Sequence, residues 1–223
     1  MRICVFSDIH GNISFFEQLL AAMKDDRPDR LVFLGDCVSY HPHGLEVIHR
    51  LREIGADCVE GNHDSMLRGD FPEPMKHEPV YQLQPAIQSI SAEDLAFVKS
   101  WPEVRDEVID GLRVEFVHGS PLDHLKGYTY EDSELARFDS PDLDIVFMGH
   151  THRPWMHRNA HTLMVNVGSV GLPRDEGGGS RPSYALFDSK TGAVELKRID
   201  ADISAILAER DRIHETVIDC LYR

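Results

Sequence analysis

The side chains able to do chemistry fall in five short blocks: Asp8-Ile9-His10, Gly35-Asp36, Gly61-Asn62-His63-Asp64, His118-Gly119 and Gly149-His150-Thr151-His152. They offer carboxylates, one carboxamide and several imidazoles, with no thiolate among them. Mixed oxygen and nitrogen donors of this kind suit Mn²⁺, Fe, Zn²⁺ or Ni²⁺ better than a closed structural zinc site. Asp8, His10 and His152 could hold one ion, and Asn62, His118 and His150 a second, with Asp36 bridging through its two oxygens. Two metals about 3.5–4 Å apart form a clamp for in-line displacement at phosphorus: they lower the pKa of a bridging water, hold phosphate oxygens and offset transition-state charge. His63 is left over as an imidazole able to donate to a phosphate oxygen or protonate a leaving alkoxide. Asp64 is its expected orienting partner. Taken singly, an Asp or Asn after a strand is ordinarily a turn or a helix cap. Seven ligand-type residues that all end strands beside glycine are not accounted for in that way.

Such groups can meet only if the strands that carry them run side by side. Arg2 to Ser7, Arg30 to Leu34 and Asp57 to Glu60 read as short apolar strands. They alternate with helical patterns at Asn12 to Lys24 and Gly44 to Ile54. This β-α-β-α-β opening predicts parallel strands with helices packed on the sheet. Ligands in open α/β sheets bind at the carboxyl ends of strands, so the five blocks should share one rim.

Positions 64–101 show no strand signal and read as a helical insertion. It contains the piece Phe71-Pro72-Glu73-Pro74 and a helix that starts at Ser91 with an S-x-x-D box. From Gly111 the character is β, with strands at Leu112 to Val117, Leu143 to Met148 and Leu163 to Val167, and a hairpin of Tyr184 to Asp188 with Ala193 to Arg198. Ile203, Ile206, Leu207, Ile213, Val217 and Leu221 mark one face of a C-terminal helix over about 202–222. The reading is a single domain over 1–223.

Composition removes other classes. The 223 residues carry 38 Asp plus Glu against 23 Lys plus Arg, a formal charge of −15. That balance disfavours tracking along long nucleic acid or docking on anionic lipid. No apolar run spans a bilayer. Cys4, Cys37, Cys58 and Cys220 form no C-x-x-C pair and read as buried free thiols, so a cytoplasmic location is expected.

The five blocks, in this order, resemble the calcineurin-like metallophosphoesterase superfamily, whose motifs run D-x-H, G-D, G-N-H-D/E, H and G-H-x-H. The stretch Asn166-Val167-Gly168-Ser169-Val170-Gly171-Leu172-Pro173-Arg174 is also similar to the N-P-G-S-V-G-x-P-R segment of small bacterial and archaeal members. The resemblance implies a four-layer αββα sandwich, an α/β fold of two mixed sheets flanked by helices, with a dinuclear site at strand ends. It implies metal ligation by Asp8, His10, Asp36, Asn62, His118, His150 and His152, and a catalytic imidazole at His63. The expected function is metal-dependent hydrolysis of phosphomonoesters or phosphodiesters by metal-activated water, on a small substrate such as a nucleotide or dinucleoside polyphosphate.

The alternatives are a phosphoprotein phosphatase and a non-catalytic scaffold on the same fold. The G-D-x-V-D-R-G arginine of the protein phosphatases is absent from Gly35-Asp36-Cys37-Val38-Ser39-Tyr40. The retromer subunit that resembles these enzymes lacks the third-block histidine present here as His63. Substrate contacts are expected from Arg174 and Arg181, since guanidinium pairs bidentately with phosphate, and from His41 and His43 in the loop after Asp36. His49, His77, His124, His157, His161 and His214 fit no ligand block.

Overall fold

The computed structural model describes residues 1–70 and 77–223; the Phe71-Pro72-Glu73-Pro74 piece lies outside the described residues. In the first sheet β1 (Arg2–Phe6) pairs in parallel with β2 (Arg30–Phe33), and β2 with β3 (Asp57–Cys58). On the other side of β1, β9 (Ser183–Asp188) and β10 (Ala193–Arg198) add the expected antiparallel hairpin. The second sheet runs β4 (Val104–Ile109), β5 (Leu112–Val117), β6 (Ile145–Met148), β8 (Leu163–Asn166), β7 (Trp155–Arg158), with β5, β6 and β8 parallel. Both sheets are therefore mixed.

Side chains along β1 alternate between two faces, both of them buried. Ile3 and Val5 pack between the sheets with Val32, Val59, Phe116, Phe147 and Phe187. Cys4 and Phe6 face the other way, onto α1 (Ile13–Asp26) and α2 (Gly44–Glu53), through Phe16, Leu19, Leu20, Val47 and Leu51. The far face of the second sheet is closed by Leu135 and Phe138, from the 3-10 turn Leu135–Phe138, against Val146, Met148, Trp155 and Met164. Helices, sheet, sheet and this thinner outer layer make the expected four-layer α/β sandwich. At the end of β2 away from the strand tips, Arg30 joins the sheets through bonds of 2.6 and 2.8 Å to Glu107.

Between 62 and 101 the described residues are helical: α3 (Asn62–Arg68), α4 (Glu78–Tyr81), α5 (Gln84–Ser89) and α6 (Ala92–Lys99). Ser91 caps α6 as expected, its Oγ accepting from the Asp94 N–H at 3.0 Å. The C-terminal segment departs from a single helix. It is α7 (Ser204–Ala208), a 3-10 turn at Arg210–Arg212 and α8 (Glu215–Cys220). Ile213 is extended there, and His214 Nδ1 caps α8 by accepting from Thr216 N–H. Ile206, Ile213, Val217 and Leu221 are buried all the same. Two short helices met the apolar spacing that suggested one.

Strands β4 and β7 were not anticipated. β4 joins β5 through Asp110-Gly111, with φ of 49° and 90°, the paired positive values of a type I′ hairpin turn. In that hairpin Asp106 sits directly opposite Glu115. Burial first, and the Asp106 charge second, push the Glu115 carboxyl up to about 7. Arg113, Arg137, Asp139 and Asp142 line the same cleft. A carboxyl raised in the folded state binds more protons there than in the unfolded chain, so it erodes stability as pH rises through about 7. Glu115→Gln is expected to raise Tm at pH 8 by roughly 2–4 °C, the scale of a 1 kcal/mol change in a domain this size, and not at pH 5. Thermal melts at both pH values check it; an equal shift at both would refute the linkage.

Candidate metal centre and active site

The parallel registers deliver the five blocks to one rim. Phe6 lies beside Phe33 and Phe116 beside Phe147, so the loops after those strands leave together. Asp8, His10, Asp36, His150 and His152 all take left-handed backbone with φ of 55, 50, 66, 65 and 60°. Such conformations cost on the order of 1 kcal/mol or more each and persist where surrounding structure enforces them. Here the amides of Asp8 and His10 donate to the carbonyls of Gly35 and Asp36, each at 2.9 Å, which ties the first two blocks together. Gly61 and Gly149 permit the closest approaches. A Cβ on Gly61 would lie 2.2 Å from Asp36 Oδ1, and one on Gly149 2.6 Å from Asp8 Oδ2.

The side chains form two donor clusters around one carboxylate. Asp8 Oδ1 is 3.6 Å from His10 Nε2 and 3.2 Å from His152 Nε2. His118 Nε2 stands 3.1 Å from both Asn62 Oδ1 and His150 Nδ1. Between them, Asp36 Oδ2 is 3.7 Å from His10 Nε2 and 3.4 Å from His118 Nε2. The other oxygen, Oδ1, accepts the His63 amide at 2.8 Å, so Asp36 presents one oxygen to both clusters rather than one to each. All seven residues are buried.

These groups have the chemistry of metal ligands. His10, His118 and His152 donate from Nδ1 to the carbonyls of Val38, Leu34 and Leu172 at 3.0, 2.8 and 2.7 Å. A carbonyl only accepts, so in the neutral ring the lone pair lies on Nε2. His10 Nε2 and His152 Nε2 then face each other at 3.1 Å, beside Asp8 Oδ1, which has no hydrogen-bond partner among the described residues. Burial pushes His152 down to about 4 and His150 down to about 3. Burial also opposes the charges of Asp8 and Asp36, yet the neighbouring imidazoles, His152 for Asp8 and His118 for Asp36, hold both carboxyls below the usual range. His118 feels the converse: burial resists its protonation, but Asp36 outweighs it and raises the ring to about 9. Two buried carboxylates that draw a proton onto His118 call for positive charge, and divalent ions fit.

His63 stands beside the clusters, one ring nitrogen in reach of the His10 and Asp36 donor atoms. Burial pushes it down to about 3, so it is a neutral imidazole. Its Nδ1 lies 2.8 Å from Ser39 Oγ, and Tyr81, Tyr40 and His10 pack around the ring at 4.7, 5.4 and 5.1 Å. The expectation that Asp64 orients this ring is corrected. Asp64 Oδ2 accepts from the amides of Asp36 (2.7 Å) and Gly61 (3.0 Å), and Oδ1 from Cys37 N–H (2.9 Å). One residue on along α3, it points back under the Asp36 loop and clamps that loop instead. Ser39 holds the position that sequence reasoning assigned to Asp64.

The expected substrate contacts divide. Arg174 lies at the rim, its Nη2 donating to Tyr40 Oη at 3.2 Å, and its charge faces Asp8 and His152. His43 does not face the site. Its ring bonds Glu46 at 3.1 Å and Glu209 at 2.6 Å, pinning α2 to the C-terminal segment. His41 is buried within the same loop, its amide donating to the His10 carbonyl at 3.1 Å, and burial pushes its ring down to about 3. Arg181 pairs with Asp200 at 2.9 Å. Of the remaining histidines, His49 and His161 pair with Asp94 and Asp139.

Tyr81 and Tyr128 escaped sequence reading, and Tyr40 was read only as part of the loop after Asp36, with no contact assigned to it. Tyr128 lies on the His150 ring with centroids 4.1 Å apart. Ser39 and Tyr40 were at least traceable, since they follow Asp36 in a loop that must double back to the site. Ser39 and Tyr40 take φ of 82° and 64°, the turn that brings them there.

Carboxylates and imidazoles in two clusters around a shared oxygen, on the strand-end rim of a double-sheet α/β sandwich, define a metal-dependent phosphoesterase. The comparisons with known proteins agree. The family model of the calcineurin-like phosphoesterase superfamily domain matches residues 1–192, and the chain belongs to that family. It is similar to the phosphodiesterase YfcE of Escherichia coli, at 25% identity over 87% of this chain and 91% of that protein. A shorter likeness, 32% over 43% of this chain and 35% of that protein, links it to the symmetrical bis(5′-nucleosyl)-tetraphosphatase of Klebsiella pneumoniae. The crystal structure of a metallophosphoesterase from Sphaerobacter thermophilus superposes with a TM-score of 0.81 at 28% identity, covering 100% of this chain and 99% of that one. Calcineurin-like phosphoesterases use divalent metal ions, and among the described residues no helix is long and apolar enough to cross a membrane.

Proposed function

We propose that this protein hydrolyses small phosphomonoesters or phosphodiesters with two divalent ions. Asp8, His10 and His152 would hold one, Asn62, His118 and His150 the other, with Asp36 between them. The observation that carries this reading is the single Asp36 oxygen facing both clusters, at 3.7 and 3.4 Å from their imidazoles. Bound there, such ions supply Lewis acidity that lowers the pKa of water and offsets phosphate charge.

The chain's own residues do the rest. If Ser39 donates its hydroxyl proton to His63 Nδ1, the ring carries its hydrogen on Nε2. From there it can donate to a phosphate oxygen or protonate the departing alkoxide. Tyr40 and Tyr81 pack against the ring at tilted and edge-on angles and help to bury it. Arg174, whose Nη2 donates to the Tyr40 phenol, offers its fork to a non-bridging phosphate oxygen.

Turnover of p-nitrophenyl phosphate and bis(p-nitrophenyl) phosphate by Mn²⁺-loaded protein tests the reading. Absence of metal-dependent hydrolysis on these and on natural phosphoesters would sink it. Arg174→Ala is expected to raise KM about tenfold, the scale of one lost charge-assisted hydrogen bond, with a smaller effect on kcat. Unchanged KM would remove Arg174 from the phosphate contacts.

A further inference from the structure

Beyond His150, the loop after His118 presents two phenol rings to solvent. Tyr128 and Tyr130 are 57% and 36% exposed and nearly parallel, with centroids 6.2 Å apart and 14° between planes. Since Tyr128 also rests on His150 at 4.1 Å, the pair forms an aromatic path leading away from the site. Past Tyr130 opens a cleft of about 440 Å³, also lined by Glu131, Asp132, Arg153, Trp155 and Asp175. Arg153 follows His152 directly, and its guanidinium lies 5.7 Å over the Tyr130 ring.

Glu131 and Asp132 outnumber Arg153 in this lining, and Asp175 is paired with Arg198. That acidic balance disfavours an anion, so the cleft suits the neutral part of a phosphoester rather than a further phosphate. Aromatic faces, an arginine and carboxylate acceptors at the edge together match a flat heteroaromatic ring.

We propose that Tyr128, Tyr130, Arg153 and Trp155 form a nucleobase subsite, so that the phosphoester bound at the rim carries a nucleoside. This rests on the phosphoesterase reading above. The base stacks on the phenol rings, and the acidic wall selects a base with an exocyclic amino group. Uracil, which has none, is disfavoured.

Calorimetric binding to the Mn²⁺-loaded protein tests this, with adenosine 5′-monophosphate against ribose 5-phosphate, the same anion without its base. The adenine compound is expected to bind about tenfold tighter or more, the scale of one stacked base, and uridine 5′-monophosphate more weakly than the adenine compound. In Tyr130→Leu/Arg153→Ala the ratio should fall to about one, while Tyr130→Phe, which keeps the ring, should keep it. Equal affinities in the unmodified protein, or a ratio that survives the double substitution, overturn the subsite. Hydrolysis of bis(p-nitrophenyl) phosphate by the same preparation separates the two readings. An adenine preference without turnover overturns the phosphoesterase reading and supports the subsite; turnover with equal affinities does the reverse.

Discussion

Asp36→Asn is expected to lower kcat/KM on bis(p-nitrophenyl) phosphate on the order of 10³-fold, about 4 kcal/mol of lost transition-state stabilisation. The substitution keeps side-chain shape, and its carbonyl can still accept the His63 amide that Asp36 Oδ1 accepts at 2.8 Å. What it removes is the anionic oxygen, which lies 3.7 Å from His10 and 3.4 Å from His118. An amide nitrogen there has no lone pair to give and meets two imidazole nitrogens head on. Metal analysis should therefore fall from two equivalents to one or fewer. Stability offers an independent readout. A bound ion stabilises the folded state by mass action, so chelation should lower the Tm of the unmodified protein more than that of the variant. Full metal content with undiminished turnover would show that Asp36 does not join the two sites.

The ligand blocks were readable because each needs only local information: an apolar run, then a donor with a glycine beside it. Parallel register does the remaining work, since neighbouring strands that end level place their following residues side by side. The residues that were misread depend on long-range packing. Asp64 follows His63 in sequence, but helix geometry turns successive side chains apart, and its carboxylate caps Gly61 and the Asp36 loop instead. Ser39 reaches His63 across 24 residues of chain. Tyr128 reaches His150 through a loop that carries no strand or helix period. β4 was hidden by Arg105, Asp106 and Glu107, charges that protect an edge strand at the expense of its apolar signal. Asp110-Gly111 was the overlooked cue, since that dipeptide is favoured at type I′ hairpin turns.

For His63→Gln the expected loss depends on the leaving group. On a phosphodiester that releases an alkoxide, kcat should fall about 10²–10⁴-fold, the range for losing a general acid. On bis(p-nitrophenyl) phosphate the leaving phenolate is stable without a proton, so the same variant should lose much less. Glutamine can still donate a hydrogen bond but cannot transfer a proton, which separates the two roles open to this ring. The surroundings fix how the ring presents its hydrogen. With Nδ1 held at 2.8 Å by Ser39 Oγ, and Tyr81 and Tyr40 at 4.7 and 5.4 Å, the ring has a fixed tautomer and little freedom to turn. Ser39→Ala frees that tautomer, and should reproduce the leaving-group dependence at smaller scale, about tenfold, with metal content intact. A loss of equal size on alkyl and p-nitrophenyl esters would assign His63 to binding phosphate oxygen in the transition state instead. The His63 backbone amide holds Asp36 Oδ1 in either case. Because the substitution leaves that amide in place, the variant should keep both metal equivalents while it loses rate, and that combination distinguishes a proton donor from a ligand.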